Sequence, residues 1–221
     1  TKATTQPKHK SLTMDLNEQL LRELSDLFLG DLRSSRYYQG LSADERANLE
    51  KQLARDAANG VRPLVPGASP DQIANLCAQA EAELGVTLPS SVLGVLTVVD
   101  GFVENGVSLY GADRDLNEEE TVPGLVAQNL ALWSSFPESA QKYLFVGDSE
   151  LWFFAYEISN SSFVALSHSA ISPVHRFSGI EALVNDMLAQ ALGHFEEHSG
   201  DTKGTLQSQP PKLPGTDFSL N

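Results

Sequence analysis

Apolar positions recur at helical spacing through the first sixty residues. Asp15-Leu16-Asn17-Glu18 has the form of an N-cap with an acid three residues on, and Leu16, Leu20, Leu24, Leu27 and Phe28 follow on one face until Gly30. That pattern predicts a first helix. Ser42-Ala43-Asp44-Glu45 repeats the capping pattern ahead of Leu49, Leu53 and Ala57, with Gly60 at the expected end of a second helix. Both apolar stripes are narrow, so these helices are expected to pack on each other and on a larger body. Arg62-Pro63-Leu64-Val65-Pro66-Gly67 reads as a joint, because the prolines hold the chain extended and Gly67 permits a turn.

Beyond the joint, Ser69-Pro70-Asp71-Gln72 combines an N-cap, Pro at the first helical position and Gln three residues past the cap. It opens a helix with Ile73, Leu76, Cys77, Ala80 and Leu84 inward and Gly85 at its close. Pro89 opens another, with Val92, Leu93, Leu96 and Val99 on one side before the turn Asp100-Gly101. Residues 107–110 read as a short strand, and residues 113–120 are too polar to be buried, which predicts an exposed loop. Leu125, Asn129, Leu132 and Trp133 trace a weaker helical stripe that Pro137 ends.

From Tyr143 the period changes to short aromatic and β-branched runs at 143–146, 151–158, 163–166 and 174–177. Gly147-Asp148-Ser149-Glu150 and Ser159-Asn160-Ser161-Ser162 supply turn residues between them, as in an antiparallel meander. The run 151–158 is apolar on both alternating faces except at Glu157, the mark of a central strand covered on both sides. Ser178-Gly179-Ile180-Glu181 resembles a capping box, and Ile180, Leu183, Val184, Met187, Leu188 and Ala191 form the stripe of a last helix. The expected fold is α+β, with a single central, largely antiparallel sheet flanked by helices. Residues 1–62 are expected to be a helical extension, 63–199 the α+β domain, and 200–221, with three prolines and no periodicity, a disordered tail.

Charge divides the chain more sharply than hydropathy does. Of the 221 residues, 15 are Lys or Arg and 29 are Asp or Glu, a net charge of −14. Residues 68–199 hold 18 acids and only three cations, Arg114, Lys142 and Arg176, so nearly all the imbalance lies there. Such a surface repels nucleic acid and anionic membrane; its acidity serves solubility on the plainer reading and meets a basic partner on the sharper one. The longest apolar runs, 92–99 and 151–155, are far shorter than the ~18 residues of a spanning helix. Cys77 is the one cysteine, so no internal disulfide and no Cys-rich zinc site is expected. Residues 1–13 contain lysines but no apolar stretch, so no secretory signal is expected there and the default location is the cytoplasm.

Catalytic signatures are sparse. His194-Phe195-Glu196-Glu197-His198 has the spacing of a zinc-binding helix, two imidazoles one turn apart with a carboxylate between. The only acids beyond it are Asp201 and Asp217, and cationic imidazoles at a helix C-terminus account equally well for the pattern. Asp113, Asp115 and Asn117 match the first three ligand positions of a calcium loop, but Glu118 stands where glycine is needed and Gly124 where the bidentate glutamate belongs. An EF-hand is therefore rejected. Cys77 falls on an apolar helix face and reads as a core residue. No phosphate-binding glycine loop or nucleophile elbow is present, and no cofactor, metal or enzymatic activity is expected.

The order Pro63, capped helix 69–84, Leu84-Gly85-Val86-Thr87-Leu88-Pro89, Val99-Asp100-Gly101, Asn105-Gly106 and Leu109-Tyr110-Gly111 resembles the SUKH superfamily. The resemblance is closest to its YrhA-like branch, and the strands 143–147 and 151–157 and the last helix extend it over residues 63–192. Bacterial members include immunity proteins of polymorphic toxin systems. The resemblance thus implies a role in binding and neutralising a cognate toxin, often a nuclease, and it carries over no catalytic residues. The acidic character fits a basic toxin independently. The expected contact surface is Asp113, Asp115, Glu118, Glu119 and Glu120, joined by Glu104, Asp148 and Glu150 if the loops meet at one sheet end, with Tyr110 or Trp133 as an aromatic anchor wherever exposed. Because some relatives are regulatory scaffolds, a non-enzymatic interaction scaffold is the alternative; a metal-dependent hydrolase, resting on His194 and His198, is the third reading.

Overall fold

The computed structural model describes residues 15–59, 67–112 and 122–194. The expected joint at 62–66, the acidic segment 113–120, the opening residues 1–13 and the tail 200–221 lie outside the described residues.

Among the described residues the helices are α1 (Glu18–Ser34), α2 (Arg36–Gly40), α3 (Ala43–Ala58), α4 (Pro70–Gln79), α5 (Ser90–Leu96), α6 (Leu125–Ser135) and α7 (Ile180–Ala191). The strands are β1 (Phe102–Glu104), β2 (Val107–Leu109), β3 (Tyr143–Asp148), β4 (Trp152–Glu157), β5 (Ser162–Ser167) and β6 (Pro173–Phe177). They form one sheet in the order β1-β2-β3-β4-β5-β6, with every neighbouring pair antiparallel. The fold is therefore α+β around a single antiparallel sheet. β1 adds a strand to those the periodicity predicts, since three residues are too few to show alternation.

The helix starts follow side-chain chemistry. Ser42 and Glu45 close a capping box at α3, and Ser69 and Gln72 close one at α4 with Pro70 in the first turn. α1 is capped two residues later than its acidic pattern predicts: Asn17 Oδ1 accepts from the N–H groups of Gln19 and Leu20. The box expected at 178–181 does not form. Gly179 is the N-cap residue of α7 and offers no side-chain acceptor. α4 runs into a π-helical turn, Ala80–Leu84, which Gly85 ends in the left-handed conformation.

α1 shares the core of the sheet domain, with Leu21 and Leu24 fully buried and the Asn17 N–H donating to Asn185 Oδ1 of α7 at 2.8 Å. α3 does not behave as its stripe predicts: it has no buried residue. It is held to α1 through polar groups, because Glu50 accepts from Arg33 at 2.8 and 2.9 Å and from the Tyr38 hydroxyl at 2.8 Å. These partners hold the Glu50 carboxyl well below its usual range, at about 2, with the Arg33 hydrogen bond the largest cause.

One face of the sheet carries α7, whose Ile180, Leu183, Val184, Met187, Leu188 and Ala191 are all buried as the stripe predicts. α6 packs along β3. Since β2 is only three residues long, the outer edge of β3 near its start has no strand partner, and α6 supplies the missing groups. The Asn129 amide accepts from the Phe145 N–H and donates to the Phe145 carbonyl, both at 2.8 Å, while Trp133 Nε1 donates to the Tyr143 carbonyl at 2.9 Å. The side-chain amide thus takes the place of a neighbouring peptide group and covers a strand edge.

Asn129 also donates to the Leu125 carbonyl and is fully buried. Its replacement by Ala would leave the Phe145 N–H and carbonyl unpaired in the interior, each at about 1–3 kcal/mol. The expected loss for Asn129→Ala is therefore about 3 kcal/mol, read from the urea unfolding midpoint at constant m-value. A loss under about 1 kcal/mol would mean that the edge is satisfied in some other way.

Candidate functional site: an acidic sheet end and the groove beside it

β1 and β2 are joined by Asn105-Gly106, with φ of 47° and 72°. Two successive positive φ values make a type I′ turn, the geometry that Asn-Gly favours between antiparallel strands. Asn105 Nδ2 donates to the Ala191 carbonyl, tying the hairpin tip to the C-terminal end of α7. The β3–β4 turn is closed by Ser149, whose N–H donates to the Trp152 carbonyl at 2.8 Å and whose hydroxyl accepts from the Trp152 N–H at 3.1 Å. That turn leaves Glu150 exposed, its side chain lying against Gly106. Three expected contact residues therefore meet at one sheet end: Glu104 on β1, Asp148 at the end of β3, and Glu150 between them and solvent.

The three are not equivalent. Glu104 is half-buried opposite Val107 and Glu150 is exposed, whereas Asp148 stands opposite Ser108 on the sheet face that also carries Phe153. Burial pushes the Asp148 carboxyl above its usual range, against the opposing pull of the Ser108 hydroxyl and His168. One Asp148 carboxylate oxygen and His168 Nε2 are both buried without a hydrogen-bond partner, and the His168 ring lies 4.1 Å from that of Phe153. Asp148 is thus a desolvated group rather than a free surface charge.

Asp113, Asp115, Glu118, Glu119 and Glu120 lie outside the described residues, but their flanks are well defined. Gly111 donates to the Pro123 carbonyl and accepts from the Leu125 N–H, each at 2.9 Å, making a parallel bridge between Gly111 and Gly124. Buried Asp100 accepts from the Ala112 N–H at 2.6 Å through Oδ1. Gly101 takes φ +78°, and a Cβ there would fall 2.5 Å from Val122 Cγ1 and 2.7 Å from the Leu109 carbonyl oxygen. Asp100-Gly101 and Gly111 together therefore pin the two ends of the acidic interval side by side. This stem leaves β2 at the end opposite Asn105-Gly106, so the flanks of the acidic interval do not meet Glu104, Asp148 and Glu150 at one sheet end as the sequence led us to expect.

Between α7 and strands β4, β5 and β6 runs a groove of about 590 Å³. Trp152, Phe154 and Phe177 form its floor, Ala182 and Ala189 of α7 one wall, and Leu151 and Val174 its outer lip. Leu151 is 64% exposed and Val174 48%. The polar lining consists of Asn185, Asp186, Gln190, His175 and His194, and contains neither Lys nor Arg. Leu151 also continues directly from Glu150, so the groove opens onto the acidic sheet end.

Sequence reasoning missed this groove. Its one legible signal was that the apolar run 151–155 begins inside a turn, where an apolar residue has no strand neighbour to bury it. The aromatic anchors expected instead are placed otherwise. Tyr110 is only 2% exposed, and Trp133 is half-buried with its indole N–H engaged on Tyr143. A side chain that covers the core or a strand edge cannot also meet a partner.

His194 is exposed at the end of the groove with Nε2 3.4 Å from a Glu23 carboxylate oxygen, while Glu197 and His198 lie outside the described residues. Among the described residues, no three His, Cys, Asp or Glu side chains are grouped so as to hold a metal ion. Cys77 is half-buried with a free thiol, and no described helix is long and apolar enough to cross a membrane. No protein-family model matches the chain, and no curated protein matches it.

The environment of Asp148 generates a pH prediction. Its raised folded-state pKa means that, between the unfolded and folded values, the folded protein holds more protons, so the stability contributed by this group falls as pH rises through that window. Asp148→Asn removes the buried charge while keeping a partner for Ser108. The variant is expected to be more stable than the native protein at pH 7, with the difference shrinking as pH falls toward 4. Urea midpoints across that range test it, and a difference independent of pH would contradict it.

Proposed function

We propose that this chain is a non-enzymatic immunity-type protein that acts in the cytoplasm by binding a basic toxin domain of the nuclease type and masking it. The carrying observation is the concentration of charge: 18 acids against three cations over residues 68–199. Of the two cations described within that span, Arg176 donates to Glu157 at 2.8 Å and Lys142 lies over the Tyr143 ring at 4.8 Å. Within residues 68–199 little positive charge remains to oppose the acidic field. A nuclease domain needs a cationic surface to hold phosphates, and an acidic protein competes for that surface.

The residues that carry the SUKH resemblance are consistent with a binding role. Asp100, Gly101 and Gly111 build the stem of the acidic interval, and Asn105-Gly106 sets the hairpin at the acidic sheet end. Each has a structural task in the stem or in the hairpin. Inhibition on this reading requires occupancy rather than turnover.

Co-expression with the toxin-like domain encoded by the adjacent gene is expected to restore host growth and to yield a stable complex. Neutralising Glu104, Glu150 and the five acids of 113–120 to their amides should slow association at least tenfold at low salt and flatten its salt dependence, while dissociation changes less. Asp148 is left out of that variant because its desolvation would confound the result. Failure of the native protein both to rescue and to bind would overturn the immunity reading; unchanged association kinetics in the variant would remove these carboxylates from the contact surface.

A further inference from the structure

We infer that the groove between α7 and β4–β6 receives an amphipathic, cationic helix of the partner protein. This rests on the reading above that the partner is basic, and adds where and by what element it is held. Three observations lead there. The groove is apolar on its floor and lip, with Leu151 and Val174 exposed to solvent. Its lining holds Asp186 but no Lys or Arg, exposed Glu150 adjoins Leu151 in the turn, Glu23 lies 3.4 Å from His194, and Arg176, next to His175 and Phe177 in β6, is paired with Glu157, so the border of the apolar surface is net negative. That combination is complementary to a helix with one apolar face flanked by Lys and Arg.

The form of the occupant follows from the sheet edge. β6 is an outer strand, and an extended peptide would have to add to it. Pro173 removes one backbone donor from that strand, and the register shift opposite Ala165 and Leu166 bulges it at Val174. Proline and a bulge are both features that discourage strand addition. Side-chain insertion beside α7 needs no backbone pairing. α7 has 12 residues and so rises about 18 Å, and a partner helix of about three turns would span the same wall.

The probe is a 14-residue Leu/Lys peptide with leucines at i, i+3, i+4 and i+7, compared with a scrambled peptide of equal composition and a Leu/Glu helix. Binding to the full chain is read by anisotropy of the labelled peptide and by emission of Trp152 on the groove floor, with Trp152→Phe as the spectral control. The Leu/Lys helix is expected to bind with one-to-one stoichiometry and to shift Trp152 emission, at least tenfold more tightly than either control. Ala189→Trp, which fills the groove, and Leu151→Ser with Val174→Ser, which strip its exposed lip, should each weaken binding at least tenfold. Because Leu151 and Val174 are exposed, the second variant is expected to keep the native urea midpoint and so remains informative if the first does not fold.

Equal binding of the scrambled peptide, or native affinity in the lip variant, would overturn the inference. So would a native dimer that Ala189→Trp converts to monomer, which assigns the groove to a second copy, and so would absence of peptide binding by the native chain. The two readings fail separately. If the co-expressed toxin domain binds the native protein and the lip variant equally well, the groove assignment falls and the immunity reading stands; if the peptide binds as expected and no toxin domain does, the reverse holds.

Discussion

The side-chain amide of Asn129 is the contact on which the rest of the arrangement depends. A three-residue β2 cannot cover a six-residue β3, so the first half of β3 would present bare peptide groups. Asn129 satisfies the N–H and the carbonyl of Phe145 together, and Trp133 adds the Tyr143 carbonyl. Those bonds fix α6 along the strand edge, and fixing α6 places Gly124 at its N-terminus beside Gly111. The stem of the acidic interval is thus located by an amide that never reaches the surface. Deep inside a protein, a paired polar group specifies position in a way that apolar contact does not, because the unpaired alternative is costly.

Elements with a long period were legible in the sequence. The stripes of α4 and α7, the four strands from Tyr143 onward and the position of the β4 run in the middle of the sheet follow from alternation and turn chemistry alone. Short or compensated elements were not. β1 is too brief for a pattern, α2 is a single turn, and Asn129 reads as one position of a weak helical stripe, with nothing to mark it as the anchor. The α3 stripe misled because apolar spacing states what a helix is able to bury, not whether another surface arrives to cover it.

The candidate surface was legible in its charge and not in its shape. Counting acids along the chain located the negative field, yet it could not separate Glu150, which faces solvent, from Asp148, which is desolvated beside Phe153 and His168. Nor did it show the groove, whose lining comes from α7, three strands and a turn that are far apart in sequence. Only the pairing register brings Leu151 and Val174 to the same depression. Charge sums over a segment, whereas an apolar recess exists only once the segments are assembled.

The bridge between Gly111 and Gly124 also sets how the chain tolerates a change in length. Because both ends of the intervening stretch are fixed to the scaffold by backbone bonds and by Asp100, its length and composition are uncoupled from the register of the sheet. Closing a longer loop on such a stem costs only about 0.6 kcal/mol for each doubling of its length. Insertions, deletions and charge exchanges there leave the core as it is. The frame that fixes the stem is therefore energetically separate from the length of the interval it closes.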